Sequence, residues 1–545
     1  MTSSAKDSAA RKFWRDGLPW LAAVLMGSIA IVLHVGNLTS AGGLWRDEAA
    51  AVSLASMPSF GEIWAHLEHE SFPLLFTMLL RGWSALGWGG SDPGLRVFGL
   101  CVGLAVLAAL WWNAWRFSSA PPLVSLLLFG LSPVAIRWGD SLRGYGLGVC
   151  FILLALGLVG KVLLSPTKGN VALASLAGIL AVQTLYQNSY ILGAICLSGA
   201  AVSLRRRHYR GALLMLALAL PAALSLIPYL PVVRRANEWN VVTQMPLSLA
   251  RIGTVLHRAL SDPDPLMFWL WVGLLGVALL VAVISMRRPA AAQETDVTWF
   301  LLGVMIFTTA AYYLFLKLAQ FPTEVWYYLL WMAVMAVAID GLIVRFARTP
   351  WPRAALSAAA LAAAGFMLSD GWQQVEVRMT NVDIIARRLN QSAAPGDLIL
   401  VHPWFCGATF QRYYRGRAEW TTLPPLNDHA LQRLDLFKEQ LMIEDPIEPV
   451  LEKMETVLRN GGAIWLVGYF PFSNPPRAVP TLPRPGLGPQ GWQEGPYMMA
   501  YGMQAASFLQ RNAARNEPVA LPLAQKVNPF EKLPLRVITG WRRAY

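Results

Sequence analysis

The sequence predicts a polytopic α-helical membrane protein of about 11 transmembrane helices, followed by a small C-terminal α/β extracytoplasmic domain. Three observations predict it. Only 14% of the 545 residues are charged, against roughly 25% in soluble globular chains, and the mean hydropathy is +0.44. Apolar runs near the 20 residues needed to cross a bilayer core recur as far as residue 369. From Asp370 onward the composition turns soluble, with short β-like runs set between helical patterns.

The predicted spans are 18–36, 95–114, 122–136, 145–164, 171–186, 190–204, 211–233, 266–284, 297–318, 325–346 and 354–369. Residues 1–16 form a polar tail ending in Arg11, Lys12 and Arg15, with no small-residue cleavage pattern after it, so the first span is expected to be retained. Loop charges set the sides. With the tail cytoplasmic, inner loops hold Arg116, then Lys161 and Lys168, then Arg205, Arg206, Arg207 and Arg210, then Arg287 and Arg288, then Arg345, Arg348 and Arg353. The short outer loops hold fewer, namely Arg137, Arg143 and Lys317. This places the chain as a multi-pass protein of the inner (plasma) membrane, N-terminus cytoplasmic and C-terminal domain outside. The expected domains are the tail 1–16, a transmembrane domain 17–369 and a soluble domain 370–545.

Two outer loops are long, 37–94 and 234–265. In the first, 58–68 and 72–88 are read as amphipathic helices along the interface, because Arg81 interrupts the second and a full crossing there would reverse every later loop. In the C-terminal domain, 379–391 has helical spacing, 397–402 and 463–468 read as short buried strands, 426–460 as mostly helical, and 535–541 as a last strand. A Pro/Gly-rich insertion covers 471–496.

Composition also excludes classes. Of the four cysteines, Cys101, Cys150 and Cys196 lie in apolar runs and Cys406 stands alone, which gives neither a disulfide framework nor zinc spacing. The net charge of +13 is distributed as topology signals between spans, so no nucleic-acid partner is expected. A transporter would concentrate ionisable groups within its spans, and here only His34 and Asp340 stand out, both near span ends.

The chemistry-bearing residues gather instead in the outer loops. Asp47 and Glu48 follow the first span directly and, if helical, point about 100° apart, so one works and the other is structural. A carboxylate there can take the proton of an acceptor hydroxyl as that oxygen attacks a sugar's anomeric carbon. A phosphate leaving group departs without a general acid but needs cations, best arginine. Arg143 beside Tyr145, Arg137, and the pair Arg251 and Arg258 are the candidates, each with an alternative as a headgroup-facing charge. His69 lies with His66, Glu68 and Glu70 in a group whose spacing suits a metal, although a solvated interfacial helix explains it as well. Glu324, Trp326 and Tyr327 open the tenth span as an aromatic belt or a sugar subsite.

The order of these features resembles the bacterial membrane glycosyltransferases of the GT-C superfamily, related to protein O-mannosyltransferases and lipid A aminoarabinose transferases. The resemblance covers roughly residues 17–346. It rests on Asp47-Glu48-Ala49 after the first span, Phe72-Pro73-Leu74-Leu75 followed by Leu80-Arg81, Leu95-Arg96, Ser132-Pro133, and Arg143-Gly144-Tyr145. Pro395-Gly396-Asp397-Leu398 and Tyr413-Tyr414-Arg415-Gly416 resemble the outer domain of some members. The resemblance implies a GT-C-like fold, a polyprenyl-phosphate-linked sugar as donor, an inverting transfer to an extracytoplasmic acceptor (lipid, glycan or protein), and Asp47 as the base. It implies no cofactor and leaves a divalent metal open. The aminoarabinose transferases carry an arginine and a tyrosine soon after the acid pair, where this chain has Ala49-Ala50-Ala51. They also carry a lysine before the Pro-Leu, where it has His69-Glu70-Ser71-Phe72-Pro73. Phosphate binding therefore shifts to Arg143 or the second long loop. The alternatives are a non-catalytic transporter or flippase of lipid-linked or envelope polysaccharide precursors, and a receptor whose outer domain binds a partner.

Overall fold

The computed structural model describes residues 17–245, 247–287, 292–320, 322–347, 349–473, 478–479, 481–488 and 490–542. The tail 1–16 with Arg11, Lys12 and Arg15, the loop residues Arg288 and Arg348, and part of the 471–496 insertion lie outside the described residues. The chain forms two compact units that interleave in sequence. One comprises Met1–Ser40, Ser71–Leu230 and Pro246–Glu376; the other comprises Ala41–Glu70, Pro231–Met245 and Val377–Tyr545.

The first unit is helical. Among the described residues, eight helices are long and apolar enough to cross a membrane: Leu18–Ser40, Asp92–Ser118, Gly144–Leu164, Tyr209–Val242, Leu266–Arg287, Ala292–Ala319, Val325–Phe346 and Trp351–Val375. The three remaining predicted spans fall outside these eight. The segment predicted at 122–136 is a π-helical turn Leu126–Gly130, a break, and a short helix Pro133–Gly139. Pro133 cannot donate to the preceding turn, and the Ser132 side chain caps the new helix by accepting from the Ala135 N–H at 3.3 Å. The span predicted at 171–186 is the 15-residue helix Lys168–Val182. The one at 190–204 is Asn188–Arg205, 18 residues long.

The intramembrane acid noted in the sequence, Asp340, has a local explanation, and so does Asp296, which the sequence reading did not single out. Asp340 accepts from the Val124 N–H at 3.0 Å and from the Ser125 hydroxyl at 2.9 Å, capping the irregular segment. Asp296 is buried and binds Arg205 at 3.0 Å and also Arg206, so part of the Arg-rich loop is internally compensated. Close crossings are made by glycine: a Cβ on Gly146 would sit 2.0 Å from the Gly139 carbonyl oxygen, and one on Gly99 1.9 Å from that of Asp140.

The second unit is an α/β sandwich around a five-stranded sheet in the order β2-β1-β3-β5-β4. The strands are β1 (Leu398–His402), β2 (Glu419–Thr422), β3 (Ile464–Gly468), β4 (Ala513–Pro518) and β5 (Leu535–Trp541). β2, β1 and β3 run parallel, with Leu398 opposite Glu419 and Ile464; β5 and β4 are antiparallel. Alternation divides the core between two faces. Leu398, Leu400, Ile464 and Leu466 pack on the helices Leu434–Leu441, Glu448–Arg459 and Glu494–Asn512. Ile399, Val401, Trp465 and Val467 pack on Val382–Ser392 and Gly407–Tyr413. The strands β1, β3 and β5 are where the sequence reading placed them. Sequence patterning missed β2, the exposed edge strand β4, and the helix Glu494–Asn512.

Residues 41–46 are fixed within this second unit. The Met379 N–H donates to the Ala41 carbonyl at 2.8 Å, the Leu44 N–H to the Tyr413 hydroxyl at 2.6 Å, and the Arg46 N–H to Glu531 Oε2 at 2.9 Å. Gly42 has φ +65°, and any Cβ there would meet the Arg378 guanidinium at 2.4 Å.

Candidate functional site

Asp47 and Glu48 begin the helix Arg46–Ala55 and diverge, as adjacent helical residues must. Glu48 is fully buried and its Oε2 accepts from the Trp45 N–H at 3.3 Å, reaching back to the helix start as an N3 acid does. Asp47 keeps 16% of its side chain exposed; its Oδ1 accepts from the Gln432 side-chain amide and from Arg46 Nε at 3.3 Å.

The surroundings of this carboxylate come from loops that follow parallel strands. The Arg46 guanidinium lies 4.2 Å over the ring of Phe405, in the turn Trp404–Cys406 just after β1. Gln432 lies in the connection that leaves β2. In open parallel sheets, ligands bind outside the carboxyl ends of the strands where the winding reverses, and the order β2-β1-β3 makes β1/β3 that point. Asp47 therefore stands by the edge of the sheet at which such folds do their chemistry.

Beneath it the electrostatics are unusual. Burial opposes the Arg46 charge, but Asp47, Cys406, Glu531 and Glu494 outweigh burial and raise the guanidinium's pKa. Burial pushes Glu531 and Glu494 each up to about 7, with Arg46 pulling the other way. Glu531 is fully buried and also accepts from the Thr380 hydroxyl at 2.7 Å. The Cys406 thiol is raised well above its ordinary range by burial, so it is not a poised nucleophile.

His69 sits in the same unit, its ring stacked on Trp239 at 5.3 Å and its Nδ1 3.8 Å from Asp435 Oδ1. Burial lowers its pKa, with Asp435 opposing. Glu68 is paired with Arg235, and His66 Nδ1 lies 2.9 Å from its own helix's Glu62 carbonyl. Among the described residues no group of three or more His, Cys, Asp or Glu is arranged to hold a metal ion.

The helical unit holds the other candidates. Arg143, 7% exposed, lies over the Phe72 ring at 4.2 Å, and Phe72 meets Tyr145 edge-on at 5.6 Å. Tyr145 meets Tyr327 at 5.9 Å, Tyr327 meets Trp326 at 6.1 Å, and Trp326 meets Trp138 at 4.3 Å. Glu324 accepts from Arg258 at 3.2 Å, and Arg251 and Arg258 both act electrostatically on the neighbouring Tyr328. Seven residues singled out in the sequence (Arg143, Tyr145, Arg251, Arg258, Glu324, Trp326 and Tyr327) thus converge around 324–328. Arg137 is not among them. Its guanidinium donates to the carbonyl and side chain of Gln374, and Asp262, bound to the Val134 N–H at 2.8 Å, supplies its counter-charge. Sequence reasoning missed Gln432, Glu531 and Glu494 because nothing in local spacing links them to Asp47.

Fold and site define a polytopic helical membrane protein with an α/β unit that carries a held carboxylate. No protein-family model and no curated protein matches the sequence. Among solved structures, the chain is similar to ArnT from Cupriavidus metallidurans bound to undecaprenyl phosphate, at 13% identity over 82% of this chain and 92% of that one, TM-score 0.45. It is also similar to the apo state of the same protein, at 16% identity and TM-score 0.34. A third is arabinosyltransferase EmbB from Mycobacterium smegmatis, at 15% identity over 59% of this chain and 30% of that one, TM-score 0.38. At these scores the likeness does not decide the activity, which rests on the chain's own residues.

Proposed function

We propose that this chain is an inverting membrane glycosyltransferase of the GT-C kind, moving a sugar from a polyprenyl-phosphate donor to an acceptor outside the cytoplasm. The observation that carries the proposal is the state of Asp47: a partly exposed carboxylate, its partner acid Glu48 buried as a cap, held by Gln432 and Arg46 beside the carboxyl ends of parallel strands. The acceptor hydroxyl gives its proton to Asp47 as its oxygen bonds to the anomeric carbon. The bond from that carbon to the phosphate oxygen breaks, and the polyprenyl phosphate leaves with the electron pair. One base suffices. Arg143, seated on Phe72, is the first choice for the lipid phosphate, with Arg251 and Arg258 next. Arg137, engaged by Gln374 and Asp262, is a structural cation. Trp326 and Tyr327 offer faces for a sugar ring, and His69 on Trp239 offers a second aromatic surface.

Asp47→Asn keeps size and hydrogen bonding but cannot accept the proton. In membranes supplied with a labelled polyprenyl-phosphate sugar, turnover should fall by roughly 10²–10⁴ while protein level and melting stay unchanged. Normal turnover in this variant would sink the assignment. One observation favours the transporter reading. The buried pair of His34 Nδ1 and Asp140 Oδ2, 2.7 Å apart, lines a cavity with room for about one water. That reading predicts substrate movement that survives loss of both Asp47 and Glu48.

A further inference from the structure

We propose that Gln432 is the positioning residue of the Asp47 carboxylate, and that the segment 428–437 is the brace by which the C-terminal part of the chain sets the site. This rests on the reading of Asp47 as the base. The Gln432 amide donates to Asp47 Oδ1, the oxygen that Arg46 Nε also approaches at 3.3 Å, so one oxygen is fixed from two directions and the plane of the carboxylate with it. Gln432 is itself held. The next residue, Arg433, forks onto Asp435 through Nε at 2.9 Å and Nη2 at 2.7 Å, and reaches Asp428 through Nη1. Asp435 Oδ1 lies 3.8 Å from His69. Phe437, fully buried, stacks on Trp404 at 5.2 Å, which ties the end of the brace to the turn after β1.

An amide is suited to this task. It donates to an ionised carboxylate without itself titrating, whereas lysine or histidine would bring a charge and glutamate would compete for the proton. Because Gln432 is anchored through Arg433 and Phe437 to the sheet, ordering it costs little at the moment of reaction. The same contacts give the C-terminal part of the chain a catalytic function: it holds the base, and any acceptor that moves the brace also moves Asp47.

The test uses full-length protein with Gln432→Leu, Gln432→Glu and Arg433→Lys. The first removes the donor, the second sets a carboxylate against Asp47, and the third loosens the fork without touching Asp47. Water-soluble carbodiimide labelling of Asp47, followed by peptide mass spectrometry across pH, reads the carboxylate without needing substrate. We expect the pH of half-labelling to move upward by one unit or more in Q432E, labelling at fixed pH to quicken severalfold in Q432L, and R433K to fall between Q432L and wild type. Turnover of the lipid-linked sugar should lose about tenfold in kcat in Q432L with KM for the donor unchanged. Its acidic limb should move upward with the labelling in Q432E. Identical Asp47 labelling in all four proteins, each with wild-type melting, overturns the proposal. Labelling that moves while turnover does not leaves Gln432 as the holder of Asp47, and it is then the assignment of Asp47 as base that fails.

Discussion

At the scale of residues, two acids adjacent in sequence divide their work by geometry. A helix turns about 100° between neighbours, so Glu48 enters the core and caps while Asp47 faces the sheet edge. Arg143 shows similar economy. The Phe72 ring seats its guanidinium at 4.2 Å. A planar cation suits that seat, and a lysine ammonium does not reproduce it. If Arg143 holds the donor phosphate as proposed, Arg143→Ala should weaken polyprenyl-phosphate binding in detergent by about tenfold to a hundredfold, with Arg143→Lys recovering only part of the loss. Unchanged binding by both would move the phosphate role to Arg251 and Arg258.

At the scale of elements, the start of the helix Arg46–Ala55 is clamped by the turn Pro529–Glu531, nearly five hundred residues away in sequence. The clamp has a pH dependence. Burial raises Glu531 to about 7, so between its ordinary value near 4.5 and about 7 the folded chain holds a proton that the unfolded chain has released. Wild-type stability from this group is therefore present at low pH and falls as pH rises through that window. Glutamine does not titrate. The apparent melting temperature of Glu531→Gln, relative to wild type, should thus rise from pH 5 to pH 8, the difference in stability approaching at most about 3 kcal/mol. A difference that is flat with pH would mean that Glu531 stays ionised throughout. His402 and His429, each lowered by burial to about 4, act with the opposite sign, losing stability as pH falls from 6.5 toward 4, and so appear equally in both proteins.

At the scale of the whole molecule, the side on which the C-terminal part emerges depends on the parity of crossings. The helices Lys168–Val182 and Asn188–Arg205 are about 22 and 27 Å long and come as a pair, so together they leave the sides unchanged. Parity turns on 122–139. Every residue from 120 to 136 is buried in protein. Irregular backbone such as the π-turn Leu126–Gly130 is tolerated at membrane depth under that condition. We therefore expect this segment to cross and the C-terminus to lie outside. A C-terminal alkaline phosphatase fusion should be active; an inactive fusion with a normal amount of protein would show that 122–139 remains on one side. Asp47 belongs to the same compact unit as Val377–Tyr545 and takes Gln432 from it, so deleting residues 370–545 should remove the setting of this carboxylate.

What the sequence determined by itself is what short-range chemistry encodes. Apolar length gave eight of the eleven spans, since burying about 20 residues in lipid leaves little freedom of conformation. Short apolar runs gave β1 and β3, 535–541 reads as the last strand β5, and a 3.6-residue period gave the helix near 382–392. The divergence of Asp47 from Glu48 followed from helix geometry, and the aromatic run 326–328 marked the place where Arg143, Tyr145 and Arg258 converge. What only the tertiary structure decided is everything carried by pairs distant in the chain: Gln432 on Asp47, Glu531 and Glu494 around Arg46, Phe72 under Arg143, Arg137 withdrawn to Gln374. Also beyond sequence were the edge strands β2 and β4, too short or too exposed to leave a pattern, and the irregular backbone at 126–139, buried among neighbours that hydropathy does not see. A side chain's period records which face it turns inward, and the fold alone settles what it meets there.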